Sequence, residues 1–358
     1  MSEPKRDSYY SIIPILYYSN SQYSDSQLYF PIPVPEMKAT AIAPSNLALM
    51  KYMGRKDDQL RLPANGSVAM NLSGCQTTTT VEFSPEFTVD SLLIDGQEEG
   101  TASKRAFAHL DRIRDMFGVT DKARIESKNT FPRSTGLSSS SSGLAALTVA
   151  AVAALGKSLS PRELSILARQ GSGSACRSIP NGFTEWLDRE TSDESYAVSI
   201  FPSEHWDLCD VVAVITTKPK KTTSSDTHVL VRQSPRFAPR VAGMPVRIEE
   251  CKRYLAARDL SKLGPLVESE SDDLHALYES VGIVHRSAEA RELCALVTGW
   301  RTEVPVYYSL NTGQNVHLLC EAKDVEILQE KLKSVPFVQS TIVNHPAPGA
   351  RVIEEHLF

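Results

Sequence analysis

The sequence predicts an α+β protein of two domains. Runs rich in β-branched residues alternate with helical patterns in mixed order, the length of 358 residues suits one large domain or two of ordinary size, and the apolar and charged fractions are those of a globular chain. The first 37 residues are rich in Ser, Tyr and Pro, show no helical or strand period, and close on the Pro-interrupted run Pro31 to Pro35. They are expected to form an extension outside the fold. From Lys38 the pattern changes to a strand over Ala39 to Pro44, a long loop, and a second strand over Thr77 to Phe83. A helix is expected around Ala106 to Met116 and a strand over Ala123 to Ser127. Pro132 then opens a Gly/Ser-rich turn into an apolar helix from about Gly143 to Leu155, closed by Gly156. Ser160, Pro161 and Glu163 form a capping box with proline at the first helical position, so a helix should run from Pro161 to about Arg169. A further helix start is expected at Gly171 to Ser174.

In the second half, Val211 to Thr217 reads as a buried strand, and Arg247 to Ala257 and Leu274 to Ser280 as helices. Val306 to Leu310 and Val316 to Cys320 read as strands about the turn Asn311 to Asn315, followed by a helix over about Val325 to Leu332. A boundary near Ser203 divides the chain into domains at 38–202 and 203–358.

The net charge of −5 and the lack of a dense Lys/Arg run argue against a nucleic-acid or membrane partner and leave room for a local pocket that takes a small anion. Six cysteines, Cys75, Cys176, Cys209, Cys251, Cys294 and Cys320, lie far apart without CxxC spacing, as buried reduced thiols of a cytoplasmic protein do. No apolar stretch reaches the roughly 18 residues of a membrane span, and the short run Ile12 to Tyr18 is interrupted by Pro14. His205, His228 and His317 lack metal-ligand spacing, and His275 reads as a satisfied helix histidine.

Between a strand and a helix lies Pro132-Arg-Ser-Thr-Gly136-Leu-Ser-Ser-Ser-Ser-Ser142-Gly143. Its small residues let backbone N–H groups approach an anion, and the helix N-terminus that follows favours negative charge, so the segment reads as a phosphate cradle or, on composition alone, as a flexible polar turn. It is not a GxxxxGK[ST] loop. PRSTGLSSS does resemble the PxxxGLxSS signature of the GHMP kinases. Three more segments resemble one family within them, the mevalonate diphosphate decarboxylases: APSNLALMKYMGR from Ala43 to Arg55, LPANGS from Leu62 to Ser67, and RQGSGSACRS from Arg169 to Ser178 with GFTEW from Gly182 to Trp186. The likeness runs from about Ala41 to at least Leu319.

The resemblance implies a two-domain GHMP-kinase-like fold with the active site in the cleft between domains. It also implies ATP with Mg2+, a phosphorylated mevalonate as substrate, and a homodimer as the common assembly. In that family ATP phosphorylates the tertiary hydroxyl of a 3-hydroxy-3-methyl acid, and loss of the carboxylate then expels the new phosphate. Carried onto this chain, Arg177 orients the substrate carboxylate and Lys51 offsets charge at the reacting hydroxyl and phosphate. Tyr52 and Arg55 contact the phosphate end of the substrate, and Ser172 and Ser174 donate near Arg177. Ser127, Asn129, Gly136, Ser139 and Ser140 hold ATP, with Mg2+ near Ser139.

Two positions depart from the family. Its DAGPN turn reads Asn311-Thr-Gly313-Gln-Asn315 here, so an amide stands for the carboxylate that serves as base. Asn orients a hydroxyl but removes no proton, and a positioned base is worth about 10²–10⁴ in rate. Ser225 stands where the family has an arginine for the diphosphate, with Lys220 or Lys221 as candidate substitutes. The expected function is ATP-dependent decarboxylation of mevalonate 5-diphosphate. The alternatives are an ATP-independent decarboxylase of a 3-phosphorylated mevalonate and a catalytically weak paralogue that binds isoprenoid phosphates.

Overall fold

The computed structural model describes residues 37–98, 100–133, 135–218 and 224–358. The extension before Met37, and Lys220 and Lys221, lie outside the described residues. Lys38–Met50 (β1) is small or apolar at nearly every position, as a strand covered on both faces must be. Its Pro44 sits at a register shift, where a missing N–H is tolerated. A short hairpin, Arg55–Asp57 (β2) and Leu62–Pro63 (β3), leads to Ser67–Ser84 (β4), the antiparallel partner of β1. After Ser91–Ile94 (β5) and Gln97–Glu98 (β6), the helix Gly100–Phe117 (α1) crosses to Lys122–Asn129 (β7), which pairs parallel with β5. Ser139–Ala154 (α2) is buried along most of its length against β1 and β4. Pro161–Gly171 (α3) opens on the expected capping box, in which Ser160 Oγ accepts from the Glu163 amide and the Glu163 carboxylate accepts from the Ser160 amide.

Phe183–Trp186 (β8) and Ala197–Phe201 (β9) widen this layer, and Leu208–Val214 (β10) begins another. Four helices follow, Ser224–Leu230 (α4), Phe237–Ala257 (α5), Leu260–Glu279 (α6) and Ala288–Trp300 (α7), then Tyr307–Ser309 (β11), Val316–Glu321 (β12), Val325–Lys333 (α8), Ser340–Asn344 (β13) and Arg351–Ile353 (β14). Among the described residues the first sheet has eight strands in the order β14-β1-β4-β7-β5-β6, with β8 paired to β4 and β9 paired to β8. The second has the order β11-β12-β10-β13. The last strand thus returns to the layer that the first strand founds. One apolar cluster joins Leu47, Met50 and Met70 of the first sheet to Val212, Val214 and Leu319 of the second, and fixes the two layers around the site.

Several elements run longer than the sequence suggests. α5 starts ten residues before Arg247 and passes through Pro245, and α6 starts at Leu260 and passes through Pro265. α2 starts inside the serine run at Ser139, and β4 begins at Ser67, where Asn71 and Gly74 suggest a loop. Among the described helices none is long and apolar enough to cross a membrane. All six cysteines are buried and unpaired.

Candidate active site

A cavity of about 430 Å³ opens among β1, α1, α2 and the 311–315 turn. Its wall includes Lys51, Tyr52, Arg55, Ser127, Asn129, Gly136, Ser139, Ser140, Ser172, Ser174, Arg177, Asn311 and Ser225. Segments up to 260 residues apart in sequence therefore meet on one surface.

Lys51 follows the end of β1 and is buried. Its ammonium donates to Ala48 O at 2.6 Å, Ser309 Oγ at 2.7 Å and Asn311 Oδ1 at 3.1 Å. Burial, aided by the Arg177 and Arg240 cations and opposed by Glu270 and Asp210, pulls its pKa down to about 7. Its backbone is clamped from α5 and α6: the amide donates to Glu270 Oε1, and the carbonyl accepts from Arg240 Nη2 and Asn65 Nδ2. Glu270 and Arg240 are themselves a buried ion pair. Sequence reasoning missed this pair, since a lone glutamate in a helix carries no signal of its partner.

Arg177 sits in the short helix Gly173–Ser178 and is buried. Asn46 Oδ1 accepts from its Nε at 3.3 Å and its Nη2 at 3.0 Å, while Ser67 Oγ accepts from Nη1 at 2.6 Å. Three of the five N–H donors are thus engaged, and one remains on each Nη, the spacing that matches the two oxygens of a carboxylate. No carboxylate pairs with Arg177 among the described residues. Burial depresses its pKa, so the site holds a desolvated cation that an anionic ligand would neutralise. Asn46, fixed by its own bond to Ser178 Oγ, is a positioning residue that the APSN motif displays but whose role only the structure reveals.

The serine-rich loop docks against the 311–315 turn through two glycines. A Cβ on Gly136, whose φ is +98°, would lie 2.5 Å from Gly313 Cα, so no side chain fits at this crossing. Asn315 ties the same turn down: its Oδ1 accepts from the amides of Ile215 and Thr216, and its Nδ2 donates to Thr135 O and Thr216 O. Asn311 Nδ2 thereby comes within 3.5 Å of Ser138 Oγ. Ser138 precedes α2 in a left-handed conformation (φ 59°) and makes no side-chain cap, and the N-terminus of α2, whose dipole favours an anion, lies at the cavity wall. Ser139→Ala is therefore expected to raise the apparent ATP constant about tenfold or more, with a smaller change for the mevalonate substrate, as loss of one hydrogen bond to a charged phosphate would. Steady-state kinetics with each substrate varied checks this, and equal effects would remove the loop from the nucleotide site.

Tyr52 and Arg55 are joined by a hydrogen bond from Arg55 Nε to Tyr52 Oη at 2.9 Å. The Tyr52 ring lies between Trp186 and His228, with centroids at 4.5 and 4.3 Å. Ser172 is buried on the wall, and Ser174 Oγ accepts from Ser141 Oγ, linking the GSGS segment to α2. Another stretch of wall is apolar, formed by Leu92, Ile94, Ala106, Ile125, Leu144 and Leu147, and suits a purine ring. Ser127 and Asn129 border it, held by Thr79 and Thr77 respectively.

His228, unremarkable in sequence, lines the cavity and accepts from the Gly54 amide. His275 is a correction: it is buried against Tyr278 and His285, but its Nε2 has no hydrogen-bond partner among the described residues, so it is not a satisfied helix histidine. Burial first, then the neighbouring Arg286, lowers its pKa well below the usual range and keeps it neutral. His317 pairs with Asp210 in the core of the second sheet.

Residues 43–197 match the model of the diphosphomevalonate decarboxylase-like N-terminal domain family. Diphosphomevalonate decarboxylase of Candida albicans is 34% identical over 320 residues, covering 84% of this chain and 87% of that one. Phosphomevalonate decarboxylase of Haloferax volcanii is 31% identical, covering 82% of this chain and 91% of that one. Among solved structures, MDDEF in complex with MVAPP, AMPPCP and magnesium superposes with a TM-score of 0.83 at 30% identity, over 89% of this chain and 99% of that one.

Proposed function

Because this chain belongs to the diphosphomevalonate decarboxylase family, we propose that its cavity carries out the ATP-dependent decarboxylation of mevalonate 5-diphosphate to isopentenyl diphosphate, CO2, ADP and phosphate. The observation that carries this reading is the pairing of the Arg177 fork, free of any carboxylate among the described residues, with the N-terminus of α2 on one cavity wall. The substrate carboxylate seats on the two remaining Nη donors of Arg177. The tertiary hydroxyl lies by Asn311 and Lys51, facing the Gly136 to Ser140 loop that holds the ATP phosphates. Ser139 sits where Mg2+ would travel with ATP and offset phosphate charge.

The γ-phosphoryl group moves from ATP to the tertiary oxygen, leaving ADP, and the hydroxyl proton passes to the transferred phosphate or to water, since Asn311 cannot accept it. The electrons of the carbon–carboxylate bond then form the double bond as the carbon–oxygen bond breaks, so that CO2 and phosphate leave. Lys51 counters charge that builds on the departing phosphate. Phosphoryl transfer through a loose transition state rests mostly on positioning and electrostatics. Asn311, an orienting group without basicity, therefore slows the reaction rather than abolishing it. The six buried, unpaired thiols support a reducing, cytoplasmic setting, while assembly as a homodimer rests on the family resemblance alone.

A second reading is favoured by Asn311 itself: a substrate that already carries the 3-phosphate needs Lys51 and Arg177 but no base. The assay that decides measures CO2 and ADP from mevalonate 5-diphosphate with Mg-ATP, against CO2 and phosphate from mevalonate 3,5-bisphosphate without nucleotide. Equimolar CO2 and ADP are expected from the first mixture. Product from the bisphosphate alone would overturn the reading.

A further inference from the structure

The β2–β3 hairpin carries two arginines, Arg55 and Arg61, to the cavity wall, where Arg105 of α1 joins them. Arg55 has a carboxylate partner in Asp58. Arg61 and Arg105 have none among the described residues. Arg61 donates its Nε to Gln170 O at 3.0 Å, a carbonyl in the last turn of α3, where a cation is favoured. Its Nη groups have no hydrogen-bond partner among the described residues. Arg105 Nη2 donates to Ser225 Oγ at 3.0 Å, which places its guanidinium against the position where the family resemblance leads one to look for an arginine. Arg61 also holds a left-handed backbone (φ 52°), a strained state for a residue with a side chain. Burial first, then the Arg55 and Arg105 cations, draws its pKa down to about 10, and burial followed by Arg55 lowers that of Arg105. Like charges crowded in a part-buried wall are costly unless a polyanion joins them.

We propose that Arg61, together with Arg105, binds the distal phosphate of the organic diphosphate substrate and so sets the preference for a diphosphate over a monophosphate in a chain that has serine at position 225. This rests on the reading of the cavity as a mevalonate diphosphate site. Arg55, hydrogen-bonded to Tyr52, lies deeper and serves the proximal phosphate. The assignment makes Arg61 a specificity residue with no part in the bond-breaking steps.

The test is isothermal titration of the full chain, without catalysis, using mevalonate 5-diphosphate, mevalonate 5-phosphate, inorganic pyrophosphate and Mg-AMPPCP as separate probes. Arg61→Gly removes the guanidinium at a backbone position that suits glycine, so a folded variant is expected, and Arg61→Asn, which also tolerates this φ, serves as the second variant. Both should weaken mevalonate 5-diphosphate about ten- to a hundredfold and mevalonate 5-phosphate by less than about threefold, with Mg-AMPPCP unchanged. Arg61→Lys should recover part of the loss, since it restores charge without the fork. Unchanged 5-diphosphate binding, an equal loss for both mevalonate esters, or a loss confined to Mg-AMPPCP would each overturn the assignment. If wild type binds neither ester, the functional reading fails, and pyrophosphate decides the site separately: a loss of pyrophosphate binding in Arg61→Gly keeps it, and no loss removes it.

Discussion

Arg177→Lys is expected to fold normally and to lose CO2 release by about 10²–10³-fold, the effect of deleting a preorganised donor aimed at developing charge. The geometry makes the change severe. Asn46 and Ser67 engage three donors of the guanidinium, and the two that remain form the fork that faces ligand. An ammonium has three donors in a tetrahedral array, so a lysine that keeps both protein contacts has no pair left for two carboxylate oxygens. Burial at position 177 would also disfavour the charged form of a lysine, as burial does for Lys51. The measurement is CO2 release under saturating Mg-ATP, alongside thermal unfolding to verify the fold. The apparent ATP constant should stay within about threefold of wild type, because the hydrogen bonds of Arg177 go to Asn46 and Ser67 and none to the Gly136 loop. Near wild-type decarboxylation would remove Arg177 from the mechanism.

The strand and helix types were legible where one physical signal dominated. β12 reads cleanly because its apolar run is bounded by turn residues, β7 because Ala123 and Ile125 alternate with polar residues, and α3 because its capping box is local. The elements that ran past their expected ends carry signals that tertiary contacts override. Pro245 and Pro265 look like helix breakers, yet α5 and α6 continue through them. The buried face of α6 includes Glu268 and Glu270, which look like solvent positions until Arg301 and Arg240 appear beside them. α7, which no sequence pattern announced, starts at Ser287, whose side chain accepts from the Ala290 amide, but it opens without an acidic capping partner at the third helical position. Short strands such as β5 and β14 carry too few residues for a period to show.

At the site, motif residues told which side chains matter but not how they are wired. The APSN, LPANGS and GSGSACR segments are far apart in sequence, yet Asn46, Ser67 and Arg177 form one hydrogen-bonded unit, and Asn65 holds the Lys51 carbonyl. Arg169, from the same motif as Arg177, plays a structural part instead, bonding Ser192 and Ser195 and bracing the loop before β9. Arg61 was invisible because a single arginine beside LPANGS looks like a solvated turn residue. Only the fold brings Arg55 and Arg105 next to it.

Asn311→Asp is expected to raise CO2 and ADP formation together from mevalonate 5-diphosphate, by about tenfold or more, since it restores a positioned base at little steric cost. The same change should alter the pH profile. In wild type the Lys51 ammonium, near 7, is present below that pH and is lost as pH rises through it, so activity that needs the charge should fall on the alkaline side of neutrality. A carboxylate at position 311 would stand where Asn311 Oδ1 lies 3.1 Å from Lys51 Nζ and would favour the charged amine. The alkaline fall should therefore move to higher pH in the variant. The rate gain comes from the restored base and the alkaline shift from a negative charge beside Lys51, so a rate gain without the shift would separate base catalysis from charge pairing. In an ATP-independent enzyme the outcome reverses: wild type would already release CO2 and phosphate from mevalonate 3,5-bisphosphate, and Asn311→Asp would slow it by setting a negative charge next to the departing phosphate. Rates for wild type and Asn311→Asp on both substrates, with and without Mg-ATP, across about pH 6 to 9, distinguish these results. A variant that stays as slow as wild type on the 5-diphosphate, with ADP and CO2 still equimolar, would show that proton removal does not limit turnover and that Lys51 and Arg177 set the rate.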